Sequence, residues 1–191
     1  SDTFCMLPWQ HIHAFPDGRA YPCCFSLDKY PVGDLNKDSM ETVFNGTDMK
    51  QMRLNMLANK PSKQCTKCYD QEESGFFSLR LSSNKHFGHN IGMVENTQAD
   101  GSADFVIKYW DIRFSNLCNL ACRSCGTWFS SNWYEDHKKL TGKPPEHAKI
   151  LKVGRSSNDI WEQMLEQFEH VEQFYFAGGE PLIMEEHYRI L

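Results

Sequence analysis

Apolar and polar positions change rhythm twice along this chain, and the changes mark its organisation. Near the start the pattern is broken by Pro8, Pro16, Pro22 and Pro31 into short extended pieces. Asp17-Gly18 between His13–Phe15 and Arg19–Tyr21 predicts a hairpin turn, with His11 and His13 on its surface. Asp38-x-x-Glu41 has the form of a capping box opening a short helix through Phe44, and Asn45-Gly46 breaks it. Thr47 then caps a helix whose Met49, Met52 and Met56 share one face and so belong to a core. A third helix is expected after Cys68. Residues 87–104 lose all periodicity and are rich in Gly, Asn, Asp and Ser, which predicts a linker.

From Val106 the pattern becomes regular. Val106–Phe114 alternates and is β-rich, so a strand is expected there. Trp128–Leu140 reads as a helix stopped near Gly142, with Trp128, Trp133 and Tyr134 in its packing face. Asp159–His170 is amphipathic, with Ile160, Met164, Leu165 and Phe168 on one side and Ser157 or Asn158 as its cap. Gln173–Ala177 reads as a strand, and another helix follows Pro181. Strand, loop, helix, helix, strand, loop, helix is the opening of a βα barrel, an α/β architecture that places its chemistry at the C-terminal ends of strands.

Composition narrows the function. The 191 residues are 40% hydrophobic and 24% charged, as in an ordinary globular protein. A net charge of −5 with no Lys/Arg cluster argues against a nucleic-acid partner. No apolar run has the length of a membrane span, and no signal peptide is visible. Seven of the eight cysteines fall into two close pairs and a triplet, a distribution that suits metal better than disulfides and implies a reducing, cytoplasmic setting.

The triplet is the most specific feature. Cys118, Cys122 and Cys125 form C-x3-C-x2-C directly after the expected strand at 106–114. Three thiolates on one short loop can each hold an iron of a cubic cluster, leaving the fourth iron open to a small molecule. Zinc is the competing reading, but it wants a fourth ligand, and His137 would have to fold back to supply it. The strand at 173–177 runs into Gly178-Gly179-Glu180-Pro181. Glycines there permit close approach of backbone to a ligand.

Together these two motifs resemble the radical S-adenosylmethionine superfamily. The resemblance implies a [4Fe-4S] cluster on Cys118, Cys122 and Cys125, whose open iron is chelated by S-adenosyl-L-methionine. Gly178, Gly179, Glu180 and Pro181 would hold its amino end. It implies an oxidoreductase-type reaction: one electron cleaves the cofactor, and a 5′-deoxyadenosyl radical takes hydrogen from a peptide or small-metabolite substrate. A flavodoxin, ferredoxin or reductase would donate the electron. Ser124 departs from the pattern, because family members commonly carry an aromatic residue before the third cysteine, close to the adenine. The resemblance also implies a six-unit partial TIM-like barrel, of which residues 105–191 supply only the N-terminal part.

The remaining cysteines resemble the SPASM/twitch modules that accompany many of these enzymes. Cys5, then Gly18 and Cys23, then Cys65-x2-Cys68 follow that spacing, and Gly33-Asp34-Leu35 agrees with it. A full module would have a further cysteine where Ser74 stands, so the one-cluster twitch form is the better match. By resemblance, residues 1–86 form a small cysteine-rich α+β module holding an auxiliary [4Fe-4S] cluster on Cys5, Cys23, Cys65 and Cys68, here placed before the barrel. Zinc remains open for these four, and Cys24 is a spare that could replace Cys23, pack as a small hydrophobe or serve in catalysis. The alternative for the whole chain is a non-catalytic iron–sulfur or zinc module, or an electron carrier.

Overall fold

The computed structural model describes residues 2–156 and 158–191. Five short strands form one mixed sheet in the order β3-β2-β1-β4-β5. They are β1 (His11–Ala14), β2 (Arg19–Tyr21), β3 (Gly33–Asp34), β4 (Tyr109–Ile112) and β5 (Gln173–Phe174). The expected hairpin forms: β1 and β2 pair antiparallel with His13 opposite Tyr21, and β3 extends the ribbon. On its other side β1 runs parallel to β4, with His11 opposite Tyr109 and His13 opposite Asp111. β4 is parallel to β5. The cysteine-rich N-terminal segment and the second half therefore share a single sheet.

Alternation along β1 and β4 sorts the sheet into two faces. Ile12, Ala14, Ala20, Trp110 and Ile112 point into a hydrophobic cluster with Leu35, Met40, Phe44, Met49, Met52, Met56 and Met164. The methionine face read from the sequence is core, as expected. His11, His13, Tyr21, Tyr109 and Asp111 occupy the other face. The two histidines are fully buried, which corrects their expected surface position. The reason is topological: β1 is an inner strand, flanked on both sides, and aromatic rings cover this face. Tyr109 stacks on His11, Phe15 meets the edge of His13, and Phe87 lies on Tyr109.

Five helices precede β4: α1 (Met40–Phe44), α2 (Thr47–Leu57), α3 (Thr66–Glu73), α4 (Leu79–Phe87) and α5 (Gly92–Glu95). Ser39, not Asp38, caps α1 by accepting from the Thr42 N–H. Gly46 rather than Thr47 takes the cap position of α2. The segment 87–104, expected as a linker, is packed instead. Phe87, Val94 and Ala103 are buried in the core, and Trp9 Nε1 donates to Thr97 Oγ1 at 2.7 Å. The clamp on this segment is Arg53 of α2, fully buried and, among the described residues, without a carboxylate partner. Its guanidinium donates to the carbonyls of Pro8 (2.8 Å), Phe44 (2.8 Å) and Gly101 (3.1 Å) and to Asn45 Oδ1 (3.0 Å). Burial lowers its pKa to about 10. Polar composition concealed this packing, because backbone carbonyls and the Thr97 hydroxyl join a few scattered apolar side chains in tying the segment down.

Beyond β4 lie α6 (Trp133–Thr141), α7 (Asp159–Leu165) and α8 (Glu185–Ile190). α6 ends at Gly142 as expected but begins five residues later than the pattern suggested. Residues 126–132 are used in turns that brace the cysteine loop. α7 buries Ile160 and Met164 but exposes Leu165, and its continuation breaks into a separate turn at Phe168–His170. Asn158 stands at the cap position of α7, while Ser157 lies outside the described residues. Among the described residues no helix is long and apolar enough to cross a membrane.

Candidate functional site

All eight cysteines are free thiols, and they gather in two places. Cys5 precedes a turn at Leu7–Trp9, Cys23 follows β2, Cys65 caps α3, and Cys68 lies in the first turn of α3. Cys5 and Cys68 are buried, and Cys23 and Cys65 nearly so. Burial pushes all four thiols up, Cys65 to about 12, and three of them also feel neighbouring thiols: Cys5 senses Cys65 and Cys68, Cys23 senses Cys5, Cys65 and Cys24, and Cys65 senses Cys68. Thiols held neutral by an apolar setting become thiolates when a bound cation supplies compensating charge. A buried set of four thiols can serve a metal centre in this way. No three His, Cys, Asp or Glu side chains among the described residues are drawn together tightly enough to hold a single ion.

Cys23 and Cys24, alternatives in the sequence, diverge in the structure. Cys23 lies within reach of the charges of Cys5 and Cys65. Cys24 is exposed rather than packed as a small hydrophobe, and beyond its partial burial its strongest influences are Asp111 and Arg113. Asp111 is fully buried on β4, with His13 Nδ1 at 2.9 Å from its Oδ2 and Arg113 Nε at 3.8 Å from its Oδ1. Burial alone would raise the Asp111 carboxyl pKa. His13, His11 and Arg113 more than offset that and hold it below the ordinary value. The Nε2 atoms of His11 and His13 are buried and find no hydrogen-bond partner among the described residues.

The second gathering is the loop after β4. Its backbone is tied down from 130–133. Cys118 N donates to Ser131 Oγ (3.1 Å), Ser130 Oγ to Leu120 O (2.6 Å), and Trp133 Nε1 to Cys122 O (3.0 Å). Asn116, fully buried, bridges the loop to its surroundings. Its amide donates to Thr127 O (3.0 Å) and Lys149 O (3.1 Å) and accepts from Leu151 N (2.8 Å). Cys122 is left exposed, with Cys118 and Cys125 partly so. One exposed and two partly exposed thiols thus project from a braced backbone.

Gly178-Gly179-Glu180-Pro181 docks on this loop. Glu180 N donates to Leu117 O (2.8 Å) and Gly179 N to Phe129 O (3.1 Å). Both glycines adopt positive φ, +80° and +62°. A Cβ on Gly178 would enter the Arg113 side chain, and one on Gly179 would collide with Leu117 O. The cysteine loop and the glycine loop, far apart in sequence, are thus in direct contact.

Residues 5–69 match the family model of an iron–sulfur cluster-binding domain, SPASM. No curated protein and no solved structure matches the chain. The matched segment contains Cys5, Cys23, Cys24, Cys65 and Cys68 and ends one residue past the last of them. This supports an iron–sulfur module in the N-terminal part of the chain, as the cysteine spacing led us to expect.

Several residues of these sites were not singled out from the sequence. Asn116, Ser130 and Ser131 brace the loop through backbone hydrogen bonds and carry no spacing signal. His13 and Asp111 show their relation only once β1 and β4 are in register. Arg80, on α4, lies beside Cys5, Cys65 and Cys68.

Proposed function

We propose that this chain belongs to a radical S-adenosylmethionine enzyme. Cys118, Cys122 and Cys125 would hold a [4Fe-4S] cluster with one open iron, and Cys5, Cys23, Cys65 and Cys68 an auxiliary [4Fe-4S] cluster. The observation that carries this reading is the docking of Gly178–Glu180 on the three-cysteine loop. Two motifs that resemble one family meet through backbone contacts that only glycine permits. The order β4, cysteine loop, α6, α7, parallel β5, glycine loop agrees with the first two units of a partial βα barrel.

When bound, the reduced cluster supplies the electron that cleaves S-adenosyl-L-methionine. The chain's own residues do the rest. The Ser130–Trp133 segment fixes the backbone from which the thiols project. Gly178 and Gly179 let their loop lie directly against Arg113 and the cysteine loop, and Glu180 would offer a carboxylate to a ligand's amino group there. The substrate would be a peptide or small metabolite, and a flavodoxin, ferredoxin or reductase the electron source in the cytoplasm.

Anaerobic reconstitution tests this directly. The expected result is a brown protein that, with dithionite, converts S-adenosylmethionine to 5′-deoxyadenosine. Cys122→Ala should abolish cleavage and one cluster, and Cys65→Ala should remove only the other. A brown protein that leaves the cofactor intact would identify an electron carrier and overturn the reading. A colourless zinc protein would overturn both cluster assignments.

A further inference from the structure

α4 (Leu79–Phe87) lies beyond residues 5–69, the segment matching the iron–sulfur domain, yet it reaches back into the four-cysteine site. Its Arg80 is 4% exposed. Arg80 Nη1 donates to the carbonyl of Phe4 at 2.8 Å, immediately before Cys5. Arg80 Nε donates to Glu72 Oε1 at 2.9 Å, one helical turn after Cys68, and Nη2 pairs with Glu72 Oε2. Ser78, the cap of α4, bonds the same carboxylate. Asn84, one turn further on, brackets Cys5 from the other side: its Nδ2 donates to Phe4 O and its Oδ1 accepts from Met6 N, both at 2.8 Å. One arginine thus fixes the Cys5 segment against the Cys65–Cys68 helix and places a buried guanidinium, paired with Glu72, beside their thiols.

We propose that Arg80 and Glu72 are positioning and potential-setting residues of the auxiliary cluster, supplied from outside the matched domain. A cluster gains negative charge on reduction. A buried cation beside it favours the reduced form and a carboxylate opposes it, because both act through a poorly screening interior. The inference rests on the iron–sulfur reading of Cys5, Cys23, Cys65 and Cys68, and not on S-adenosylmethionine cleavage.

The test is a redox titration of the reconstituted full chain in a Cys122→Ala background, followed by electron paramagnetic resonance, with iron counted per chain. Arg80→Met should lower the reduced-to-oxidised ratio at fixed potential about tenfold, a shift of about 59 mV for one electron. Glu72→Gln, which keeps the side-chain shape and leaves Arg80 uncompensated, should move it the opposite way. A purely structural clamp would not give shifts of opposite sign. Should Arg80→Met fail to assemble, Glu72→Gln still decides. An unmoved or more negative potential in that variant, with iron retained, overturns the inference alone. Absence of iron from the Cys122→Ala parent overturns the module reading along with it.

Discussion

Gly179 sits at φ +62° with its Cα against the carbonyl of Leu117, where no side chain can be accommodated. Leu117 is the residue before Cys118, so this contact sets the distance between the glycine loop and the first thiol. Gly179→Ala must either push Leu117 aside or release the loop, in addition to the cost of positive φ for a residue with a Cβ. We expect a loss of about 1–3 kcal/mol in local stability. Iron at the Cys118–Cys125 site should become labile, while iron at the N-terminal site is retained. Iron and sulfide per chain, compared in Gly179→Ala and Cys122→Ala, check this. Equal loss from both sites would show that the contact does not act locally.

Arg53 carries a second prediction. Its guanidinium satisfies three backbone carbonyls and one amide oxygen in the core. Truncation to Met keeps much of the volume but leaves those acceptors buried and unpaired, at about 1–3 kcal/mol each before relaxation. Arg53→Met should therefore lower stability by about 3 kcal/mol or more and loosen residues 97–103 first. Gly101, at φ +87° with Lys50 O only 2.5 Å from where a Cβ would lie, cannot re-form this contact with a side chain added. Urea unfolding gives the magnitude, and hydrogen exchange at Gly101–Ala103 reports the local loosening. A variant within 1 kcal/mol of the parent would show that water replaces the guanidinium at little cost.

The grouping of the cysteines was legible because spacing in a short loop survives folding almost unchanged. Cys118, Cys122 and Cys125 needed no tertiary information, and the Asp17-Gly18 turn is likewise local. What stayed hidden depends on pairing between distant segments. That β1 lies parallel to β4 could not be read from either strand, and it is this pairing that buries His11 and His13. The linker reading of 87–104 failed for a related reason: its composition is polar, but its backbone carbonyls and Thr97 are the groups the core needs as acceptors. The late start of α6 follows from competition, since Ser130 and Ser131 serve the cysteine loop before the helix can use them.

The separation of Cys23 from Cys24 is open to direct measurement. Cys23 faces Cys5 and Cys65, whereas Cys24 is turned toward Asp111 and Arg113. Cys23→Ala should therefore lose the N-terminal cluster, and Cys24→Ala should keep its full iron content. Alkylation of the reconstituted protein, mapped by mass spectrometry, should label Cys24 and spare Cys23. Labelling of Cys23 with protection of Cys24 would reverse the assignment of ligand and spare.

His11 should make the core sensitive to acid. It is fully buried, stacked on Tyr109 at 4.4 Å between ring centres, with its Nδ1 2.8 Å from the Tyr109 carbonyl. Burial pushes its pKa down to about 4, and the charge of His13 acts in the same direction, against the opposing influence of the Tyr109 carbonyl and Asp111. An imidazole that stays neutral when folded but charges at about 6.5 when unfolded makes the unfolded chain bind the extra proton. Stability should therefore be unaffected above pH 7 and fall as pH drops from 6.5 toward 4. The limiting slope is about 1.4 kcal/mol per pH unit. The folded carboxyl of Asp111 lies below its ordinary value, so its contribution is lost only at still lower pH. His11→Phe keeps a ring on Tyr109 but cannot titrate. Urea unfolding at steps from pH 7.5 to 5, with both proteins in the same cluster state, should show a slope in the parent that the variant lacks. Identical slopes would place the acid sensitivity elsewhere.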